Sequence, residues 1–111
     1  MYRVSFYTSI GKTSPIKKFL DSCQLSLRAK ILRQLKYAQE YGLNPAIPNI
    51  KKIKNTPFWE LRILGKDNTR IICTSLSKKN VKVLHVFRKK KQKTPVKELN
   101  IALRRYREVV D

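Results

Sequence analysis

The sequence predicts an α+β fold: a small antiparallel sheet in the order β-α-α-β-β-β-α, with an N-terminal helix hairpin and a C-terminal helix. Three observations carry this. The strand-like runs FWELRIL (58–64), TRIICTSL (69–76) and VKVLHVF (81–87) follow one another with only GKDN and SKKN between them, spacings that suit antiparallel hairpins. Ser14-Pro15 and Thr94-Pro95 each supply an N-cap followed by proline at the first helical position. The length, 111 residues, suits a single domain over 1–111, and no internal repeat or low-complexity tract interrupts it.

Element by element, YRVSFYTS (2–9) alternates Tyr2, Val4 and Phe6 with Arg3, Ser5 and Tyr7, the period of a half-buried strand. A short helix follows Ser14. LSLRAKILRQLKYAQEYG then places Leu27, Ile31, Leu35 and Ala38 on one stripe with Leu32 beside it, and Gly42 ends this second helix. LNPAIPNIKKIKNTP (43–57) has three prolines and three asparagines and reads as a loop, with IKKIK a candidate extended piece. After the three strands, VKELNIALRRYREVV carries Leu99, Ala102, Leu103 and Tyr106 as its apolar stripe.

Charge dominates the composition. Lys and Arg total 26 against 7 Asp and Glu, a formal net charge of +19, and eighteen of the 26 lie in residues 51–111. Self-repulsion on that scale points to a polyanionic partner, most commonly nucleic acid, and places the anion on the second half of the chain. The densest stretch is FRKKKQKTP (87–95), with Arg88, Lys89, Lys90, Lys91 and Lys93. No apolar run approaches the ~18 residues of a membrane span, and no signal peptide is evident, so the expected location is the cytoplasm without a membrane partner. Cys23 and Cys73 read as reduced thiols, Cys73 in the core. With one histidine and scattered acids, neither a zinc site nor any other metal or cofactor is expected.

Alternation in FWELRIL assigns Trp59, Leu61 and Ile63 to one face and Phe58, Glu60, Arg62 and Leu64 to the other. With the helices packed on one face, Arg62 stands on the open side and Arg70 lies near it on the next strand. Lys52 and Lys54 precede the first of these strands and FRKKKQK leaves the last, so all converge on one edge as a basic groove. Trp59 reads as core, and His85, alternating with Val81, Val83 and Phe87, as a packed or hydrogen-bonded histidine.

KKIKNTPFWELRI, TRII and FRKKKQKTP before a C-terminal helix, together with the order of elements, resemble the RelE/ParE toxin superfamily. The closest likeness is to its HigB-like, phage-derived branch of type II toxin-antitoxin systems. The resemblance runs from SPIKKFLD to ALRRY, and it implies a ribosome-dependent mRNA endoribonuclease neutralised by a helix-turn-helix, HigA-like antitoxin. Residue by residue it implies catalytic roles for Lys52, Lys54, Arg62 and Arg70. The basic position after the last strand falls on Lys89 or Lys90. The C-terminal tyrosine of some relatives has no counterpart, since Val96 falls near it and Tyr106 lies well along the helix. The paired histidines of others are absent.

Cleavage of RNA by its own 2′-OH needs proton transfer and neutralisation of the charge that builds on phosphorus. Arg62 and Arg70 suit the second task because a guanidinium stays charged and its fork matches phosphate oxygens. A lysine serves the first only if its pKa falls from about 10.4 toward neutrality, the direction in which crowded like charges push it. Lys52 or Lys54 is the expected base and Lys90 the expected acid, with Glu60 a competing base. Lys51, Arg88, Lys89, Lys91 and Lys93 are expected to bind RNA. Arg28 and Arg33, on the basic second helix, are expected to contact ribosomal RNA. Two other classes stay open: a ParE-like inhibitor of DNA gyrase, and a non-enzymatic basic nucleic-acid-binding module.

Overall fold

The computed structural model describes residues 1–90 and 94–110. The elements are β1 (Arg3–Phe6), α1 (Pro15–Ser22), α2 (Leu25–Tyr41), β2 (Ile50–Lys52), β3 (Phe58–Ile63), β4 (Thr69–Ser77), β5 (Asn80–Arg88) and α3 (Val96–Val110). The α+β class and the order of the long elements are those read from the sequence.

Local chemistry explains the boundaries. Ser14 Oγ accepts the N–H groups of Ile16 and Lys17 at 3.2 and 3.4 Å and donates to Tyr7 O at 2.7 Å, so one hydroxyl starts α1 and ties it to the strand before it. Gly42 closes α2 at φ 73°, a left-handed turn in which its N–H reaches Ala38 O at 2.8 Å. Between α2 and the sheet, the loop is anchored by buried Gln34, whose Nε2 donates to Pro48 O. Gln34 thus takes the inward position beside Leu27, Ile31, Leu35 and Ala38, whereas Leu32 is 48% exposed.

The sheet has five strands in the order β1-β5-β4-β3-β2. It is mixed rather than wholly antiparallel, because β1 runs parallel to β5, with Val4 opposite Val81 and Phe6 opposite Val83. Hairpin spacing speaks only for β3, β4 and β5. A strand whose partner follows two helices and three strands later is free to pair in either sense, and a parallel pair requires such a long crossover. The candidate extended piece is a true edge strand, pairing Ile50 with Leu61 and Lys51 with Glu60.

Register divides the sheet into two faces. Phe58, Glu60 and Arg62 of β3 stand beside Thr74, Ile72 and Arg70 of β4, and His85 and Phe87 of β5 continue the row. Helix α3 covers this face: the Tyr106 ring meets Phe58 edge-on at 5.5 Å, and Glu98 reaches His85 at 2.7 Å. The alternate residues, Leu61, Ile63, Ile71 and Val86, are buried on the other face, where α1 runs along β5 and α2 crosses β1 and β3. The expectation that all helices share one face is therefore corrected. The apolar stripe of α3 needs a counter-surface, and Phe58 and Ile72 provide it on the face thought open. What stays open is the margin of that face between β2 and the start of α3.

Candidate nucleic-acid interface

That margin is a cleft of ≈ 650 Å³ lined by Lys51, Lys52, Ile53, Lys54, Glu60, Arg62, Lys89, Thr94 and Leu99. Its floor is the β3 segment Glu60-Leu61-Arg62, its near wall is β2 and the turn after it, and its far wall is Lys89 with the first turn of α3. Elements distant in sequence meet here because the β2–β3 register sets Lys51 beside Glu60, while the β3–β4 register sets Arg62 opposite Arg70.

Two arginines directly opposite one another repel. The structure places a buried carboxylate between them. Glu60, 2% exposed, brings Oε1 to 3.5 Å from the Nε of both Arg62 and Arg70, and its Oε2 accepts the Thr94 hydroxyl. Arg70 is itself buried and donates Nη1 to Thr69 O at 3.1 Å. Burial, only partly offset by Glu60 and reinforced by Arg62, lowers its pKa from the usual guanidinium value.

Lys89 is the unusual lysine. After β5 the chain turns so that Arg88 points outward and Lys89 inward, leaving it 6% exposed. Its backbone is clamped by Asn68, whose O accepts the Lys89 N–H at 2.8 Å and whose Nδ2 donates to Lys89 O. Asn68 adopts a left-handed φ of 38°, a conformation asparagine tolerates better than most residues. Burial pushes the Lys89 pKa down; Glu60 opposes that, and Arg70, Arg62 and Lys51 add to it. The same surroundings therefore make this amine easier to deprotonate and keep a carboxylate in reach of it.

Of the catalytic candidates, Lys52, Lys54 and Arg62 line the cleft, Arg70 lies behind it against Glu60, and Lys90 is exposed beyond Lys89 without lining it. Lys52 Nζ donates to the Thr56 carbonyl and lies 3.4 Å from Ile53 O, so it is folded onto its own loop. Among the RNA-binding candidates, Lys51 and Lys89 line the cleft and Arg88 lies on the far side of β5. Lys91 and Lys93 lie outside the described residues. Arg28 caps the end of α1, donating Nε to Leu20 O at 2.6 Å and Nη2 to Asp21 O at 3.0 Å. Arg33 is exposed on α2 and does not line the cleft.

The sequence offers Glu60 as a base and Thr94 as a helix cap; the structure joins them. The available signal was a lone acid flanked by Trp59 and Leu61 in a strand, two residues before Arg62 and so on the same face as it. His85 is a hydrogen-bonded histidine under α3. Its Nδ1 lies 3.2 Å from Arg105 Nη1, which can only donate, so the ring proton sits on Nε2 and is donated to Glu98 Oε1 at 2.7 Å. Burial, above all, lowers its pKa, and the Glu98 bond only partly offsets this.

A second recess of ≈ 490 Å³ between the start of α1 and the end of α3 also holds three cations, Lys12, Arg104 and Arg105. Arg105 is already engaged by Leu84 O at 2.8 Å and by His85, and Glu108 accepts from Tyr7 at 2.6 Å within the same recess. The cleft beside β2 has the freer cations. Among the described residues no three His, Cys, Asp or Glu side chains gather as a metal site, and no helix is long and apolar enough to cross a membrane.

No curated protein sequence matches the chain. Residues 18–107, which include every residue lining the cleft, match the family model described as phage-derived protein Gp49-like (DUF891). A match over that much of the sequence assigns the family: the chain belongs to the phage-derived, Gp49-like proteins.

Proposed function

We propose that this protein is the toxin of a type II toxin-antitoxin pair, of the HigB-like kind, and that it cuts mRNA on the translating ribosome. The observation that best supports the reading is the convergence of Lys51, Lys54, Arg62 and the buried Lys89 on one cleft backed by Arg70. Family membership and a net charge of +19 agree with it.

In this reading a phosphate of single-stranded RNA enters between β2 and Lys89. The Arg62 guanidinium, 33% exposed, takes a pair of phosphate oxygens and neutralises the charge that develops as the 2′-oxygen attacks. Lys89 is the proton donor to the departing 5′-oxygen, since its lowered pKa brings the ammonium closer to the operating pH than an ordinary lysine. Lys54, across the cleft, adds a second positive charge beside the phosphate, and the 2′-OH proton passes to water in the open cleft. Among the described residues the cleft orients a phosphate but has no feature that would hold the sugar in line for attack. Positioning is worth roughly 7–11 kcal/mol in favourable cases, and the ribosome supplies it here, so free RNA is cut weakly. Arg33, exposed on α2 and outside the lining of the cleft, is offered to ribosomal RNA. A basic surface of this kind suits an acidic partner segment, and the partner we infer is a helix-turn-helix antitoxin.

The test is induction of the wild-type chain and of Arg62→Ala in cells, reading growth, primer extension on translated mRNAs and DNA breaks together. Codon-phased cuts that vanish in Arg62→Ala at equal protein level are the expected result. Growth arrest with broken DNA and intact mRNA would instead identify a gyrase inhibitor, and no toxicity would leave a basic binding module.

A further inference from the structure

We infer that Glu60 is a positioning residue for the reaction proposed above: a buried counter-charge, anchored by Thr94, that aligns Arg62 and Arg70 and gives up Arg62 to the incoming phosphate. The inference rests on the nuclease reading for its purpose, but its geometry stands alone.

Charge-assisted N–H···O bonds close to about 2.7–2.9 Å. Glu60 Oε1 is 3.5 Å from the Nε of Arg62 and 3.5 Å from that of Arg70, so one oxygen is divided between two guanidinium groups and bonds neither tightly. Arg70 Nε is buried and makes no hydrogen bond among the described residues. The carboxylate does not swing onto either arginine because its other oxygen accepts the Thr94 hydroxyl. Both long contacts therefore keep the arginines facing one point without saturating them. A phosphate in the cleft can draw Arg62 away at low cost, and Glu60 keeps buried Arg70 as its partner. The same geometry makes Glu60 a poor base, since it is 2% exposed, one oxygen accepts the Thr94 hydroxyl and the other faces two guanidinium groups.

Lys89 reports on this arrangement. Lys51, Glu60, Arg62 and Arg70 face it, and Lys52 and Lys54 line the same cleft. Glu60 is the one negative charge in that set.

The experiment compares wild type, Glu60→Gln and Thr94→Val by three readouts: affinity for an uncleavable 2′-O-methyl oligoribonucleotide, NMR titration of the Lys89 ammonium, and cleavage of translated mRNA. For Glu60→Gln the expectation is severalfold tighter oligonucleotide binding at low salt, a Lys89 titration moved to lower pH, and a turnover reduced at least tenfold without a rise in KM. An unmoved Lys89 titration with unchanged affinity would overturn the inference. Thr94→Val frees the second oxygen, letting Glu60 close on Arg62. It should weaken oligonucleotide binding severalfold while lowering the melting temperature only modestly, and unaltered affinity there overturns the inference even if Glu60→Gln fails to fold. If the two variants shift as expected in binding and titration yet wild type never cleaves mRNA, the nuclease reading falls and the arginine-aligning role of Glu60 is upheld.

Discussion

Arg62 and Arg70 stand directly opposite each other across β3 and β4, two like charges on neighbouring strands with one carboxylate oxygen between them. A pair like that weakens a sheet, and it persists where the charges have a use.

Arg62→Ala should therefore separate stability from activity. Removing the half-exposed arginine relieves the repulsion and leaves Glu60 to Arg70 alone, so the melting temperature should stay level or rise. Loss of a charge-stabilising donor should lower mRNA cleavage by about 10²–10³-fold. Thermal melts beside primer extension check it, and a variant that melts well below wild type would show Arg62 to be structural.

Much of the fold was legible because its signals are local. Ser14-Pro15, the alternation in β3 and the stripe of α2 each act over a few residues, and each appears as expected. The two misplaced features are non-local. Nothing near Arg3–Phe6 reveals that its partner is Asn80–Arg88 in parallel, and nothing in VKELNIALRRYREVV says which face of the sheet its stripe will seek. The site was half legible for the same reason. Clustered lysines announce a basic surface, but Lys89 and Lys90 look alike in sequence, and only the turn after β5 buries one and exposes the other.

His85 makes stability pH-dependent. Its pKa in the folded protein lies below the unfolded value of about 6.5. Between the two values the unfolded chain binds more protons, so stability falls as pH drops through about 6.5 toward the lowered folded value and is flat above. His85→Gln, whose amide can still donate to Glu98, should flatten that part of the profile. Melting curves of both proteins from pH 5 to 8 decide it: parallel curves would remove His85 as the cause.

Gly42 is fixed by two constraints. It sits at φ 73°, and a Cβ there would come within 2.6 Å of the Tyr2 ring. Gly42→Ala should cost more than about 1 kcal/mol, the upper end of what the same change gains where the backbone suits alanine. Part of that loss should return in a Tyr2→Ala background. Additive losses in the double-mutant cycle would mean that backbone strain alone is at work.

The two thiols should react very differently. Cys73 is fully buried under the sheet face and burial raises its pKa to about 12, so almost no thiolate exists at pH 8. Cys23 is half-buried. A thiol reagent should therefore label at most one site in the native protein and reach Cys73 only on unfolding. Rapid labelling of both at neutral pH would contradict the packing of β4.

Lys89 gives the sharpest test of the site, because activity and stability should move in opposite directions. Burial of an amine with a lowered pKa means the folded state binds fewer protons than the unfolded one between that value and about 10.5. Wild-type stability should then rise with pH across this window, whereas Lys89→Met, which keeps the buried stem and removes the charge, should lack that rise and melt higher at pH 7. If Lys89 donates the proton to the leaving oxygen, Lys89→Met should lose about 10²–10⁴-fold in cleavage while binding the uncleavable oligonucleotide only modestly more weakly. Lys90→Met, on the exposed neighbour, should change little in either measurement. The comparison decides between adjacent lysines that sequence matching left as alternatives: a large loss in Lys90→Met with Lys89→Met near wild type would return the acid to Lys90 and leave the buried amine a structural role.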